Sequence, residues 1–423
     1  MRFFYADTLD LVDPGFDFLA DRSSPGRIPQ RDDVYAHELM APVRPYDGLL
    51  VSRFSVECMG SQGRYTRAQS QRFLRGGAQR FLRFPADGRF DPDHHPILCD
   101  CGAFNYRRDP EPPYTVEDTV EFYTLCGFTH GVSVDHMIGQ FDAMLDEPNL
   151  VPVPTDWQRR YQITLDNADR FLRLSHAEST RYKPIGVAQG WSPRSYREAV
   201  RALVKMGYDY VALGGLVPLK TPEILQILES VKEETGGRLA LHLFGITRLE
   251  NFQAFRDAGV ISFDSTSPLR QAFKDARDNY YSNGGHYSAI RIPQVDLYPK
   301  LLRRIRAHEV DRAEAAAAER SCLERLRALD RDEAGVDEVM EALHTYEALF
   351  KGNSKWRYVR RTLEDRPWKS CPCPICRAVG IEVVVFRGAN RNRRRGFHNL
   401  WFTQQMLQRY RGEGRGESGH APA

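Results

Sequence analysis

No stretch of this 423-residue chain approaches the roughly 18 consecutive apolar residues needed to cross a bilayer as a helix. Nor is a leader expected at the N-terminus, because Asp7 and Asp10 interrupt Met1-Arg2-Phe3-Phe4-Tyr5 before an apolar run of signal length can develop. Cysteine is scarce: eight residues are too few for a disulfide scaffold in a chain this long. Three of them crowd together at Cys371, Cys373 and Cys376, which points to metal chemistry in a reducing compartment. These absences lead to the expectation of a soluble, cytoplasmic protein with no membrane partner. A hydrophobic fraction of 42% and a charged fraction of 27% exclude a fibre or a wholly disordered chain. The length suits two to four domains, or one α/β barrel of about 250 residues with additions.

Net charge is also nearly missing, at +3 from 59 Lys/Arg and 56 Asp/Glu. The balance is uneven along the chain. Residues 351–411 hold 15 of the 59 but only 3 of the 56, a local +12 that leaves −9 for the rest. A basic C-terminal segment on a mildly acidic body suggests a polyanionic partner.

From about residue 90 to 264 one pattern repeats: a short apolar run, a polar or Gly-rich stop, then a stretch with helical spacing. The runs are Pro96–Cys99, Gly131–Val134, Ile185–Ala188, Tyr210–Leu213, Leu239–Leu243 and Val260–Phe263. They suit parallel strands buried on both faces. Helices are expected between them, for example Ser195–Met206 and Thr221–Glu234, the latter with Pro222 near its start. Alternating β and α argues for a (β/α)₈ TIM barrel. Directly after the runs come Asp100, Asp135, Gln189-Gly190, Gly214-Gly215, Phe244-Gly245 and Asp264. In such a barrel the strand ends share the face where active sites are built. Any one of these acids alone would serve equally well as a helix cap; six stops in succession point to a pocket.

Outside the barrel, Arg312–Arg331 reads as a helical insertion with Leu323, Leu326 and Leu329 along one side. The tail from residue 412 has little to bury and reads as disordered. Cys371-Pro-Cys373-Pro-Ile-Cys376 with His398 offers three thiolates and one imidazole, a closed tetrahedral set for structural Zn²⁺. Iron–sulfur ligation competes, but the spacing is not that of a ferredoxin. The boundaries that follow are an N-terminal region packing on the barrel (1–90), the barrel core (91–300), the helical insertion (301–352), a basic zinc-binding subdomain (353–411) and the tail (412–423).

Taken in order, Asp100-Cys-Gly-Ala-Phe104, Val134-Asp135-His-Met, Val187-Ala-Gln189-Gly190, Leu213-Gly214-Gly215-Leu216, Phe263-Asp264-Ser-Thr-Ser-Pro-Leu-Arg270, the cysteine triplet and Phe397-His398-Asn399-Leu400 resemble the tRNA-guanine transglycosylase family over roughly Ile97 to Leu407. That resemblance implies a pentosyltransferase that exchanges guanine in a polynucleotide for a 7-deazaguanine, with no redox cofactor. Asp264 would be the nucleophile on the sugar C1′ and Asp100 the general acid/base, as two carboxylates share the work in retaining glycosidases. Asp135 would accept hydrogen bonds from the guanine N1–H and N2 amine. Gln189, Gly214, Gly215 and Leu216 would read the carbonyl edge, and Phe104 and Phe244 would stack the unstacked base. For the two Phe residues a place in the barrel core competes with stacking.

Departures from the tRNA enzymes concern the polymer. Cys101 and Ala103 stand where those enzymes show Ser and Gly, and the interval from Asp264 to Cys371 is longer than theirs. The stretch from Tyr5-Ala-Asp-Thr to Arg53-Phe-Ser is similar to the DNA-acting, DpdA-type branch. The resemblance therefore implies DNA as the polymer, with tRNA of queuosine-type modification as the alternative. It also implies preQ0 (7-cyano-7-deazaguanine) as the incoming base, a companion ATPase-like protein and a part in genome defence. Both acids are present, which argues against a non-catalytic paralogue. Arg270, Arg393, Arg394 and Arg395, with the Lys355-Trp356-Arg357-Tyr358 run, are the expected nucleic-acid contacts. Arg72, Arg75, Arg80 and Arg83 either add to that groove or line an ordinary amphipathic helix.

Overall fold

Apolar runs of strand length form the centre of the fold. The computed structural model describes residues 1–57, 64–147, 152–274 and 277–412. Eight parallel strands close into a barrel in chain order: β1 (Arg2–Ala6), β2 (Gly48–Ser52), β3 (Ile97–Asp100), β4 (His130–Val132), β5 (Lys183–Ala188), β6 (Tyr210–Leu213), β7 (Ala240–Leu243) and β8 (Val260–Asp264). β1 completes the circle by pairing with β8, Arg2 opposite Ser262 and Phe4 opposite Asp264. The six runs expected from residue 90 onward are β3 to β8.

The first two staves correct the expected boundaries. β1 and β2 lie within residues 1–90, so that region supplies barrel strands rather than packing on a finished barrel. Phe3-Phe4-Tyr5 and Leu49-Leu50-Val51 are themselves short buried runs, but between them the described residues form only the four-residue helix Ala36–Leu39. The chain instead divides into two units: Met1–Leu9, Tyr46–Thr266 and the segment from Gln404 form one, and Asp10–Pro45 with Ser267–Thr403 form the other. The barrel core ends at Thr266 rather than at 300, and the helical insertion and the cysteine cluster fall in one unit.

Alternation along each strand turns Phe4, Leu50, Leu98, Val132, Ile185 and Tyr210 into a common interior cluster. Fully burying side chains of the size of Leu98 or Ile185 contributes about 1.5–3 kcal/mol each. The register slips once, between β7 and β8. Leu241 pairs with Val260 and His242 with Ser262, so Ile261 has no opposite residue and is 44% exposed. Such an extra residue re-aims the side chains that follow it. Here Ser262 and Asp264 are buried.

The expected helices are present. Pro193–Met206 starts earlier than Ser195 because the Ser192 hydroxyl accepts from Ser195 N–H, with Pro193 in the first turn. Thr221–Thr235 ends at Gly236, whose φ is +64°. In the second unit Arg312–Asp330 is helical and buries Leu323, Leu326 and Leu329, and Pro299–Arg306 and Val336–Phe350 flank it in sequence. Arg67–Leu82 is an amphipathic helix that buries Phe73 and Leu82 while Arg72, Arg75 and Arg80 remain exposed. No helix among the described residues is long and apolar enough to cross a membrane. The expected disordered tail lies, beyond Gly412, outside the described residues.

Candidate active site

Two carboxylates end barrel strands on the same face, and their surroundings treat them differently. Asp100 closes β3. Burial, then the charges of Asp264 and Asp135, push its carboxyl up to about 8. Its Oδ1 has no hydrogen-bond partner among the described residues. A buried oxygen without a partner is costly unless it holds a proton or meets a ligand. Both effects favour the protonated form of Asp100.

Asp264 closes β8 and is 8% exposed. Its Oδ1 accepts from Gly245 N–H at 2.9 Å and lies 3.2 Å from His242 Nε2. Gly245 makes the first contact with φ at +71°, a conformation that side-chain-bearing residues avoid. Behind it, His242 Nδ1 is 2.6 Å from Ser262 Oγ, which also bonds the Tyr210 hydroxyl. None of His242, Ser262 and Tyr210 was singled out from the sequence. Only the lone histidine inside Leu241-His242-Leu243 hinted at them.

Asp135 and Gln189 are joined side chain to side chain. Gln189 Nε2 donates to Asp135 Oδ2, and Gln189 Oε1 accepts from Ile138 N–H at 3.3 Å. Burial raises the Asp135 carboxyl to about 6, with the Gln189 hydrogen bond opposing it. The amide backs onto Gly214, where an added Cβ would sit 2.2 Å from Gln189 Nε2. Tyr196 O–H donates to the Gly214 carbonyl at 2.7 Å. The Gly215 and Leu216 amides meet no acceptor among the described residues.

The two expected stacking rings differ. Phe104 is 55% exposed, with the Arg107 guanidinium 4.1 Å over its face. It lines a cavity of about 440 Å³ with Arg107, Met137, Trp157, Arg160 and Val217. Phe244 instead packs against the barrel interior and stands edge-on to His242 at 4.8 Å.

The expected arginines separate by burial. Arg270 is exposed at the end of the helix Ser267–Gln271. Arg394 and Arg395 are 3% and 0% exposed, and this corrects their expected role as nucleic-acid contacts. Arg395 donates to the Val383, Val385 and Ala272 carbonyls, and Arg394 to that of Asp13. A guanidinium committed to carbonyls in the interior has no free edge for a phosphate. Arg393 donates to the Leu11 carbonyl and faces Asp10 at 3.7 Å. Arg387 and Arg391 are likewise buried against Asp21, Glu319 and Glu382. Part of the basic excess of residues 351–411 is thus internal scaffolding.

In the second unit Cys371, Cys373, Cys376 and His398 gather their donor atoms within 4.8 Å of one another. The three sulfurs lie 3.6, 3.4 and 3.5 Å from His398 Nδ1. Near-equal sulfur–nitrogen separations of this size fit a tetrahedral S₃N metal site. His398 Nε2 donates to the Tyr281 carbonyl at 2.8 Å, which leaves Nδ1 for a metal. The Tyr280 ring stacks on the imidazole at 4.0 Å. The cluster can hold a metal ion, and with four protein donors it offers no open position.

A protein-family model described as queuine tRNA-ribosyltransferase matches residues 65–297. A protein of Salmonella montevideo named DNA-guanine transglycosylase is 42% identical over 414 residues, 96% of this chain and 97% of that relative.

Proposed function

This chain belongs to the tRNA-guanine transglycosylase family, and we propose that it is a guanine transglycosylase that replaces guanine in DNA with a 7-deazaguanine, preQ0. One observation carries the chemistry: at the ends of β3 and β8, an Asp100 whose carboxyl is raised to about 8 stands near an Asp264 whose Oδ1 accepts from Gly245 N–H. In the first step Asp264 bonds to the sugar C1′ as the C1′–N9 bond breaks, and Asp100 gives its proton to the departing guanine. In the second, Asp100 as carboxylate takes the N9 proton of the incoming base. N9 then bonds to C1′, and Asp264 leaves as carboxylate.

Asp135 accepts from N1–H and N2–H of either base. The open Gly215 and Leu216 amides and the spare Gln189 hydrogen serve the carbonyl edge. Phe104 supplies a stacking face, and the exposed Arg270, Lys355 and Arg357 are phosphate contacts that remain. Zn²⁺ is the metal that suits the S₃N cluster, held by Cys371, Cys373, Cys376 and His398, and it would stabilise the fold there. The reading includes a cytoplasmic enzyme and an ATPase-like companion.

The choice of DNA rests on near full-length kinship to a protein named for that polymer. The family description itself favours tRNA as the second reading. Nucleoside mass spectrometry of DNA and of tRNA, from cells with and without the gene, separates the two. A deazaguanine confined to tRNA overturns the DNA assignment.

A further inference from the structure

We propose that His242 is a positioning residue for Asp264: it holds Oδ1 through Nε2–H, aims Oδ2 at the sugar, and eases the departure of the carboxylate in the second half of the exchange. The inference rests on the base-exchange reading above and concerns a residue on which that reading does not depend.

The hydrogen-bond polarity of the chain of contacts is fixed by its end. A carboxylate only accepts, so the His242 nitrogen 3.2 Å from Asp264 Oδ1 must carry its hydrogen. In the neutral ring Nδ1 is then an acceptor, so the Ser262 hydroxyl, 2.6 Å away, donates to it. Ser262 Oγ in turn accepts from Tyr210 O–H. Every group is used once as donor, and His242 and Ser262 each also accept.

The ring has little freedom. His242 is 0% exposed and meets the edges of Phe4 at 5.9 Å and Phe244 at 4.8 Å. The slip that leaves Ile261 unpaired puts Ser262 opposite His242. Without it β8 would turn Ser262 and Asp264 away from the barrel interior, since a shift of one residue exchanges the faces of a strand.

The two carboxylate oxygens consequently differ. Oδ1 takes both donors, Gly245 N–H and His242 Nε2–H, which leaves Oδ2 as the oxygen that bonds to C1′. Once that ester forms, Oδ1 is an uncharged carbonyl oxygen and a weaker acceptor. When the incoming N9 displaces Asp264, negative charge returns to the carboxylate and both donors regain full strength. Preorganised donors therefore help most in the step where Asp264 leaves.

The test is steady-state exchange of labelled guanine, together with the fraction of enzyme attached to polynucleotide on a denaturing gel. His242→Phe is expected to lower kcat about 10- to 100-fold, the range for losing a supporting hydrogen bond, with KM little changed and the attached fraction raised above that of the unaltered enzyme. His242→Gln, whose amide N–H reaches the Nε2 position, should recover most of kcat. An unchanged kcat in a folded His242→Phe protein overturns the proposal, as does a fall in the attached fraction. If His242→Phe does not fold, Ser262→Ala takes its place: a several-fold loss of kcat with KM held supports the relay, and full activity overturns it. Nitrogen-15 NMR of the unaltered enzyme reads the ring independently of activity, and a hydrogen on Nδ1 with none on Nε2 overturns the assignment. Failure of the base-exchange reading would look different, as no guanine exchange by the unaltered enzyme on either polymer.

Discussion

Gln189 Nε2 donates to Asp135 Oδ2 across 2.7 Å, between two side chains that are 2% and 7% exposed. The bond fixes the rotamer of the carboxylate expected to read guanine and leaves its other oxygen for the base. Asp135→Asn keeps the shape but turns an acceptor oxygen into a donor. A site built to hydrogen-bond its substrate loses heavily when a partner is mismatched. Guanine kcat/KM is expected to fall at least about 100-fold, and competition binding of free guanine checks it.

The pH profile of kcat/KM should be a bell set by two raised carboxyls. Asp100 must be protonated to serve the departing base, so activity is lost as pH rises through about 8. Asp135 must be ionised to accept N1–H and N2–H, so activity is lost as pH falls through about 6. The maximum lies between them. Asp100→Asn removes proton transfer at every pH and should lower kcat about 10²- to 10⁴-fold. A profile flat from pH 5 to about 9 would refute the acid/base assignment.

Metal content offers a separate test. Purified protein should carry one zinc ion per chain by mass spectrometry of the digested sample. Removing it should lower Tm and expose the second unit to protease first, because metal affinity at such sites is folding free energy. Cys373→Ser should do the same without chelator. A metal-free chain with unchanged Tm and protection would show that the cluster has no structural use for an ion.

Charge substitutions should sort by burial. Arg270→Ala is expected to weaken polynucleotide binding and to reduce the slope of log affinity against log salt by about one unit. Arg395→Met should leave that slope alone but lower Tm, because it strands carbonyl oxygens in the interior at about 1–3 kcal/mol for an unsatisfied group. Titrations at several salt concentrations, alongside thermal melts, separate the two effects.

Strands β3 to β8 were legible because a parallel strand buried on both faces leaves a continuous apolar run. Asp100 and Asp264 were legible because they stop such runs. β1 and β2 carry the same signature in Phe3-Phe4-Tyr5 and Leu49-Leu50-Val51, yet the segment between them, Asp10–Pro45, joins the second unit instead of forming a barrel helix. A period that starts with its spacing broken is hard to see. Arg394 and Arg395 misled because sequence records charge and not burial. His242 gave only a faint signal for a related reason. A histidine in an apolar strand looks the same whether it fills space or grips a carboxylate, and only the register between β7 and β8 decides.

The pairing of Arg2 with Ser262 also bears on biosynthesis. The first stave emerges from the ribosome long before its partner, and contacts so far apart in sequence form slowly. Until β8 is made, β1 presents one unpaired edge, Phe4 has no completed interior to enter and Phe3 lacks the Phe263 ring on which it stacks. A nascent chain halted before residue 264 would therefore be a natural client for a chaperone, and the site acid Asp264 is the last residue of the last stave to arrive.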